Sequence, residues 1–277
     1  MSYKTLLVHI DDSLRSHARI ALSLDLARRW DAHLIGLYVV SSDLFRPPFR
    51  RDDSAPFAQL VAQQAQRQQT AHDAFLAATE RAGHRSAEWR APRGPALEVA
   101  TLHARHADLL ILGQDDPQDA AAYVAPNFVG SLVLDAGRPA LVIPHAGTVK
   151  SPGENILIAW DGSREAARAV ADALPLLKAA RYVSVDIERR TEPHADAPIG
   201  IDVAAWLDMH GVNASFSAAP GHFGAGTGST LLNRASDGHF DLLVMGAYGH
   251  SRARERVFGG VTRTMLESMT VPVLMSH

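Results

Sequence analysis

The chain has 277 residues, no cysteine, and a formal net charge of −3 at pH 7. The lack of cysteine excludes disulfides, thiolate metal sites and a cysteine nucleophile, and the small negative charge gives no general attraction to nucleic acid or to anionic membranes. Apolar residues make up 47% of the chain, which is ordinary for a globular protein long enough to form two domains. No apolar run approaches the roughly 18 residues of a membrane span, so we expect a cytoplasmic protein.

Short apolar strands alternate with amphipathic helical segments along the whole chain. In the first half we predict strands at 4–10, 33–40, 86–91, 108–112 and 139–143, and helices at 13–30, 57–83, 95–106 and 128–136. In the second half we predict strands at 155–160, 182–187, 213–218, 241–245 and 271–275, and helices at 163–179, 200–210, 228–237 and 260–269. Strands separated by helices indicate right-handed crossovers and parallel sheets covered on both faces, which is an α/β fold.

The sequence also repeats itself. Three segments of the first half recur in the same order in the second half: 6–13 at 156–163, 107–113 at 240–246, and 138–142 at 271–275. The first match has an offset of 150 residues, and the other two share an offset of 133. Three ordered matches indicate a duplication, and they predict two domains, 1–147 and 153–277, joined by a segment rich in Gly, Pro and Ser.

The segment 246–262, GAYGHSRARERVFGGVT, carries most of the chemical information in the chain. Gly246 and Gly249 allow a sharp turn after the strand at 241–245. Gly259 and Gly260 open the last helix, where bare N–H groups and the helix dipole favour an anion. This pattern predicts a phosphate cradle, although a glycine-rich loop with a solvated basic face explains the same residues. It is not a Walker loop, because no Gly-Lys-Ser/Thr follows.

Asp161 follows the strand at 155–160, and ligands of open parallel sheets bind beyond the carboxyl ends of the strands. We therefore expect Asp161 and the glycine segment to share one crevice. The residues alone also allow Asp161 to act as a helix cap, since Asp161-Gly162-Ser163 is good capping chemistry. The two roles are compatible, with Ser163 as the capping residue.

A strand that ends in Asp-Gly-Ser, together with Gly-x2-Gly-x9-Gly before the last helix, resembles the universal stress protein family. The duplicated arrangement resembles the tandem members of this family, and the resemblance covers essentially the whole chain. It implies two tandem flavodoxin-like (adenine nucleotide α-hydrolase-like) domains, each a five-stranded parallel sheet with helices on both faces. It also implies that the strands at 139–143 and 271–275 lie side by side as an intramolecular pseudo-dimer, with a further homodimer left open.

For function, the resemblance implies a site for an adenine nucleotide, ATP with or without Mg²⁺, in the second copy. Asp161 would contact the adenosine, Gly246 and Gly249 would shape the turn near the ribose and phosphates, and phosphate would be held by Gly259, Gly260 and Thr262. Gly260 stands where the family usually has Ser or Thr. The hydroxyl of that position is therefore missing here, whereas the backbone amides remain.

The first copy departs from this pattern. Asp116 replaces the second glycine, and Pro126 and Asn127 stand opposite Gly259 and Gly260. Proline offers no N–H to a phosphate, and the acidic side chains of this loop would repel one. We therefore expect the first copy to bind no nucleotide and to serve packing or regulation.

Other chemistry finds little support in the sequence. His103 and His106 lie three residues apart, but no carboxylate completes a metal-ligand set, so we expect no metal site. No nucleophile–base pair or Gly-x-Ser-x-Gly elbow is present, so we expect no catalytic residue.

The functional hypothesis from the sequence is a regulatory, ATP-binding stress-response protein with an unidentified protein partner. The alternatives are a slow ATP hydrolase or nucleotidyl transferase using Asp161 and His250, and a ligand-free interaction module.

Overall fold

The computed structural model describes residues 2–41, 55–119, 124–149, 151–187, 201–218, 227–249 and 260–277. Contacts between residues divide the chain into two compact units, Tyr3–Ala136 and Gly137–His277. We call them the N-terminal unit and the C-terminal unit. This division falls ahead of the last strand of the first repeat, so that strand is grouped with the C-terminal unit. The domain limits 1–147 and 153–277 stay a prediction.

The N-terminal unit contains four parallel strands in the order β3-β2-β1-β4. The strands are β1 (Thr5–Ile10), β2 (His33–Tyr38), β3 (Ala87–Arg90) and β4 (Leu109–Gly113). The helices are α1 (Ser16–Trp30), α2 (Ala55–Ala82), α3 (Ala96–Ala104) and α4 (Phe128–Asp135). The apolar residues of β1 and β4 are almost fully buried, as expected for strands of a parallel sheet covered on both faces.

The C-terminal unit contains a six-stranded sheet in the order β5-β10-β9-β6-β7-β8. Its strands are β5 (Ala140–Ile143), β6 (Asn155–Trp160), β7 (Tyr182–Ile187), β8 (Ala214–Ala218), β9 (Leu242–Gly246) and β10 (Val273–Ser276). Its helices are α5 (Arg164–Asp172), α6 (Leu174–Leu177), α7 (Ile201–Met209), α8 (Thr227–Asp237) and α9 (Gly260–Ser268). The five strands of the second repeat pair in parallel, as predicted.

The strand β5 pairs with β10 in the antiparallel sense, with Val142 opposite Val273 and Ala140 opposite Met275. The prediction that the last strands of the two repeats lie side by side is therefore confirmed. The pairing covers an apolar edge of β10 that would otherwise be open to association with other chains.

Both units place a topological switch point beside their first strand. In the C-terminal unit the chain runs from β6 to β7 and β8 on one side, and then returns to β9 and β10 on the other. Crevices at such reversals, beyond the carboxyl ends of the strands, are the usual ligand sites of open α/β sheets. The crevice therefore lies between the ends of β6 and β9, and its counterpart in the N-terminal unit lies between the ends of β1 and β4.

One predicted element is wrong. The single helix expected at 163–179 is divided into α5 and α6, with Ala173 between them. Pro175 lies in the first turn of α6, and it has no N–H to bond to the preceding turn. Within the described ranges, no helix is both long enough and apolar enough to span a bilayer.

Candidate functional site

The loop from β6 to α5 is a tight turn built on Asp161. Its Oδ1 accepts the backbone N–H of Ser163 at 2.9 Å, and Gly162 between them has a φ of 74°, a left-handed value that suits glycine. Ser163 caps α5, because its Oγ accepts the N–H of Ala166 at 3.1 Å. The capping role predicted for Ser163 is confirmed, and Asp161 lies just beyond the end of β6.

The turn after β9 passes close to the first turn of α5. A Cβ on Gly246 would lie 2.6 Å from the backbone nitrogen of Ala166 and 2.7 Å from the carbonyl carbon of Glu165, closer than real Cβ contacts. A Cβ on Gly249 would lie 3.3 Å from Oε2 of Glu165 and 3.5 Å from Oγ of Ser163. The structure thus brings both predicted glycines against the β6–α5 loop, and only glycine allows the closer of the two approaches.

Between these glycines, Tyr248 adopts a left-handed backbone with a φ of 62°. Its N–H donates to Oγ1 of Thr262 at 3.1 Å. Thr262 is the third residue of α9 and is almost fully buried. Its hydroxyl oxygen therefore joins the first turn of α9 to the turn after β9. This contact gives Thr262 a role in fixing the turn, and phosphate binding by the same hydroxyl stays a prediction.

Gly260 is the first residue of α9. It is exposed, and a Cβ built on it would meet no atom of the described residues within 4 Å. The N-terminus of a helix offers N–H groups and partial positive charge to an anion, and nothing at Gly260 covers it among the described residues. Gly259 and His250 lie outside the described residues, as do the arginines at 252, 254 and 256.

The corresponding crevice of the N-terminal unit is closed by its own side chains. Asp11 stands where the second repeat has Asp161, and only 7% of it is exposed. Its Oδ1 accepts from Oγ of Ser13 at 2.5 Å and from Nη2 of Arg19 at 2.8 Å. Arg19 is itself only 3% exposed, and its Nε donates to the carbonyl of His9 at 2.7 Å. Asp11 is therefore held in a buried ion pair.

The charges around Asp11 set the proton affinities of this cluster. Burial alone would raise the pKa of Asp11, but the charges of Arg19 and His9 and the hydrogen bonds from Ser13 hold it below its ordinary value. Burial lowers the pKa of His9, and the attraction of Asp11 offsets only part of this effect. Asp11 is therefore ionised and His9 neutral at pH 7.

At the offset of 150 residues, Arg19 corresponds to Ala169. The guanidinium of Arg19 lies against Gly113, the counterpart of Gly246, and fills the space in which a Cβ would stand. In the C-terminal unit this close approach to the glycine is made instead by the backbone of α5. The same sheet position is thus packed by a charged side chain in one unit and by a helix in the other.

The helix starts differ as well. In the N-terminal unit, Oδ2 of Asp119 accepts the N–H of Leu14 at 2.8 Å, so a carboxylate lies beside the chain that leads into α1. Asn127, the counterpart of Gly260, has a left-handed φ of 63° and precedes α4. Gly260 instead lies within α9. That the first copy binds no nucleotide stays a prediction.

Comparison with known proteins decides the family. The model of the universal stress protein family matches residues 2–144, more than half of the chain. The chain belongs to the universal stress protein family. Universal stress protein Slr1230 of Synechocystis sp. is 26% identical over 172 residues, which are 60% of this chain and 57% of that relative. The alignment therefore spans little more than half of that relative.

Solved structures of the universal stress protein family share the fold over the full chain. A universal stress protein from Archaeoglobus fulgidus superposes with a TM-score of 0.72 at 15% identity, over 98% of this chain and 97% of that one. A Pseudomonas aeruginosa protein described as belonging to the same family gives a TM-score of 0.60 at 17% identity, over 99% and 93% of the two chains. At such identities the likeness shows the fold alone.

Beyond the residues expected from the universal stress protein pattern, the structure adds Glu165 to the site. Its carboxylate is 6% exposed, is bonded through Oε1 to Nε of Arg164, and faces Gly249 with Oε2. The sequence analysis missed it, although an acidic residue in the first turn of a helix is a recognisable signal. Among the described residues, no three histidine or acidic side chains converge as a metal site would require.

Proposed function

We propose that this universal stress protein binds one ATP per chain, with or without Mg²⁺, in the second repeat. Asp161 contacts the adenosine, Gly246 and Gly249 shape the turn along the ribose and phosphates, and the phosphates lie at Gly259, Gly260 and Thr262. The protein acts in the cytoplasm as a regulator that responds to nucleotide. It has no catalytic role of its own, in keeping with a sequence that lacks a nucleophile–base pair.

The observation that carries this proposal is the difference between the two switch points. In the first repeat Asp11 is neutralised by the buried guanidinium of Arg19, within 2.8 Å. The second repeat has Ala169 at the matching position, so α5 contributes no guanidinium at that position. The turn at Gly246 and Gly249 and the start of α9 are both retained in the second repeat.

The electrostatics of the helix ends support the same assignment. In the first repeat the carboxylate of Asp119 already lies on the N–H of Leu14, where it would repel a phosphate. The first residue of α9 is exposed, and among the described residues nothing lies where its Cβ would stand, which supports an anion at the N–H groups of this helix start. Both observations support ATP binding in the C-terminal unit rather than in the N-terminal unit.

The test is an ATP titration by calorimetry on protein purified without added nucleotide, with and without Mg²⁺, after heat release and chromatography of any ligand that co-purifies. We expect one adenine nucleotide per chain. The decisive variant is Gly249→Asp, which installs the residue of the first repeat, Asp116, in the second. Its added charge beside Glu165 and the phosphates should abolish binding.

Two matched variants complete the experiment. Gly249→Asn has nearly the same size without the charge and should bind ATP more tightly than Gly249→Asp, with a difference that shrinks as salt is raised. Asp116→Gly restores the glycine of the first repeat and should leave the stoichiometry at one, because Asp11 is still paired with Arg19. Two nucleotides per chain in the parent, or unchanged binding by Gly249→Asp, would show that the site is wrongly placed.

A further inference from the structure

The turn after β9 contains a backbone conformation that does not persist unaided. Tyr248 has a φ of 62°, in the left-handed region that a residue with a Cβ adopts only at a cost in free energy. Such residues persist where the surrounding contacts hold them, and they cluster at functional sites. Here the strained residue lies between Gly246 and Gly249, the two glycines of the proposed nucleotide site.

Several contacts of this turn come from the last residue of β10 and the residue after it. The N–H of Ala247 donates to the carbonyl of Ser276 at 2.9 Å. The carbonyl of Ala247 accepts from Nδ1 of His277 at 3.0 Å. The ring of His277 meets the ring of Tyr248 edge to face, with centroids 6.2 Å apart. The N–H and the carbonyl of Ala247, and the ring of Tyr248 beside it, are thus contacted by two successive residues, Ser276 and His277.

His277 and Ser276 are both bonded to side chains of α5. Nη1 of Arg168, on α5, donates to the carbonyl of His277 at 2.9 Å. On the same helix, Oδ2 of Asp172 accepts from Oγ of Ser276 at 2.9 Å. The helix that begins beside Asp161 and the turn that carries the glycines are therefore joined through the end of β10.

We propose that His277 is a positioning residue for the nucleotide site. By donating from Nδ1 to Ala247 and packing on Tyr248, it keeps Tyr248 left-handed and holds Gly246 and Gly249 in the geometry that the ribose and phosphates need. His277 touches no nucleotide itself and acts through the turn. This inference rests on the proposed ATP site.

The chemistry of the hydrogen bond suggests a rescue. A carbonyl oxygen only accepts, so Nδ1 of His277 must carry the hydrogen. The side-chain NH₂ of asparagine occupies nearly the same place as Nδ1 and also donates. His277→Asn should therefore keep the bond and lose only the ring contact, whereas His277→Phe keeps an aromatic ring and loses the bond.

The first experiment compares ATP affinity among these variants by calorimetry. Loss of one neutral hydrogen bond and a ring contact should weaken binding by His277→Ala about 3- to 10-fold, with His277→Phe similarly weakened and His277→Asn close to the parent. His210→Ala is the control, because it removes a matching bond in the same unit, from Nδ1 of His210 to the carbonyl of Trp206 at 2.8 Å. It should leave ATP affinity unchanged.

A second measurement requires no nucleotide. Amide hydrogen exchange at 246–249 should be faster in His277→Ala than in the parent, because the turn opens more often. In His277→Asn the exchange should be slower than in His277→Ala.

A double-mutant cycle tests whether His277 acts through the backbone of Tyr248. In a Tyr248→Gly background the left-handed conformation carries no strain, so His277→Ala should there change ATP affinity less than about 2-fold, within the usual error of additivity.

The outcomes separate the two proposals. A parent protein that binds no ATP would end the proposed function, whatever the exchange rates show. A parent that binds ATP, combined with His277→Ala that binds it equally well, would overturn the positioning role alone, even if the turn exchanged faster. An undiminished effect of His277→Ala in the Tyr248→Gly background would also overturn it, because His277 would then act by another route.

Discussion

Replacing Gly260 by serine is expected to tighten ATP binding about 5- to 30-fold. A Cβ at this position meets no atom of the described part of the chain within 4 Å, and Gly260 is already the first residue of α9, so a serine fits without moving those residues. Its hydroxyl would stand at the helix N-terminus, where a phosphate gains from the dipole. A hydrogen bond to a charged group contributes about 1.5–3 kcal/mol. The site is exposed, so we take about 1–2 kcal/mol, which gives the stated range.

The assay is calorimetric titration with ATP at fixed salt and Mg²⁺, with Gly260→Ala as the matched control. Alanine shares the loss of backbone freedom in the unfolded chain, which by itself stabilises a protein by about 0.4–1 kcal/mol, but it adds no donor. Serine and alanine should therefore raise the melting temperature by similar amounts, and only serine should raise the affinity. Equal affinities for the two variants would refute the reasoning.

The first repeat supplies a second control. Asn127 is the counterpart of Gly260, but its backbone is left-handed and it stands ahead of α4. Asn127→Ser should therefore create no second site, and the stoichiometry should stay at one. A second ATP bound by this variant would mean that the hydroxyl alone decides binding and that the closed crevice of the N-terminal unit is irrelevant.

Three further predictions concern stability. Arg19→Ala should lower the free energy of unfolding by about 3–5 kcal/mol in urea denaturation, because it leaves the buried carboxylate of Asp11 unpaired; a loss below about 1 kcal/mol would contradict the ion pair's importance. Since the pKa of His9 is lowered in the folded state from 6.5, the unfolded state binds more protons below that value, so stability should fall as pH drops below about 6.5. Stability should fall again as pH drops below 3.8, the ordinary pKa of an aspartate, toward the lowered pKa of Asp11 in the folded state. The first phase should disappear in His9→Gln. Gly246→Ala should lower both the melting temperature and ATP affinity because its Cβ meets backbone at 2.6 Å, whereas Gly249→Ala, with its nearest contact at 3.3 Å, should change the melting temperature little; equal losses would contradict this assignment.

Much of the fold could be predicted because the signals are local or periodic. The apolar strands at 155–160 and 182–187 were placed with the observed bounds, since buried parallel strands read as continuous apolar runs. The pairing of 139–143 with 271–275 followed from the family resemblance. The break in the helix at 163–179 was missed, although Pro175 was a visible signal for it.

The residue types of the candidate site are visible in the sequence, whereas the contacts among these residues are not. Gly246 was chosen for its freedom in a turn, but the structure shows that it is needed for the close approach of α5. The burial of Glu165, the strained backbone of Tyr248 and the bond from His277 depend on which elements meet in space. No pattern in the sequence specifies such contacts. The burial of the Arg19 guanidinium against Gly113 could not be predicted either, because a basic residue on an amphipathic helix is usually exposed.

The two repeats differ in how one position on their first helix is occupied, by Arg19 in the first and by Ala169 in the second. A carboxylate at a switch point between strands is poorly solvated, and it is stable only where a positive charge or hydrogen-bond donors compensate for burial. Arg19 supplies this compensation permanently in the first repeat, so the crevice there is complete without a ligand. With Ala169 in its place, the second repeat keeps the glycines that bring helix and turn together, and α5 contributes no guanidinium at that position. Under the proposed function, occupancy of this crevice follows the concentration of ATP, which is the property that a regulatory nucleotide-binding protein requires.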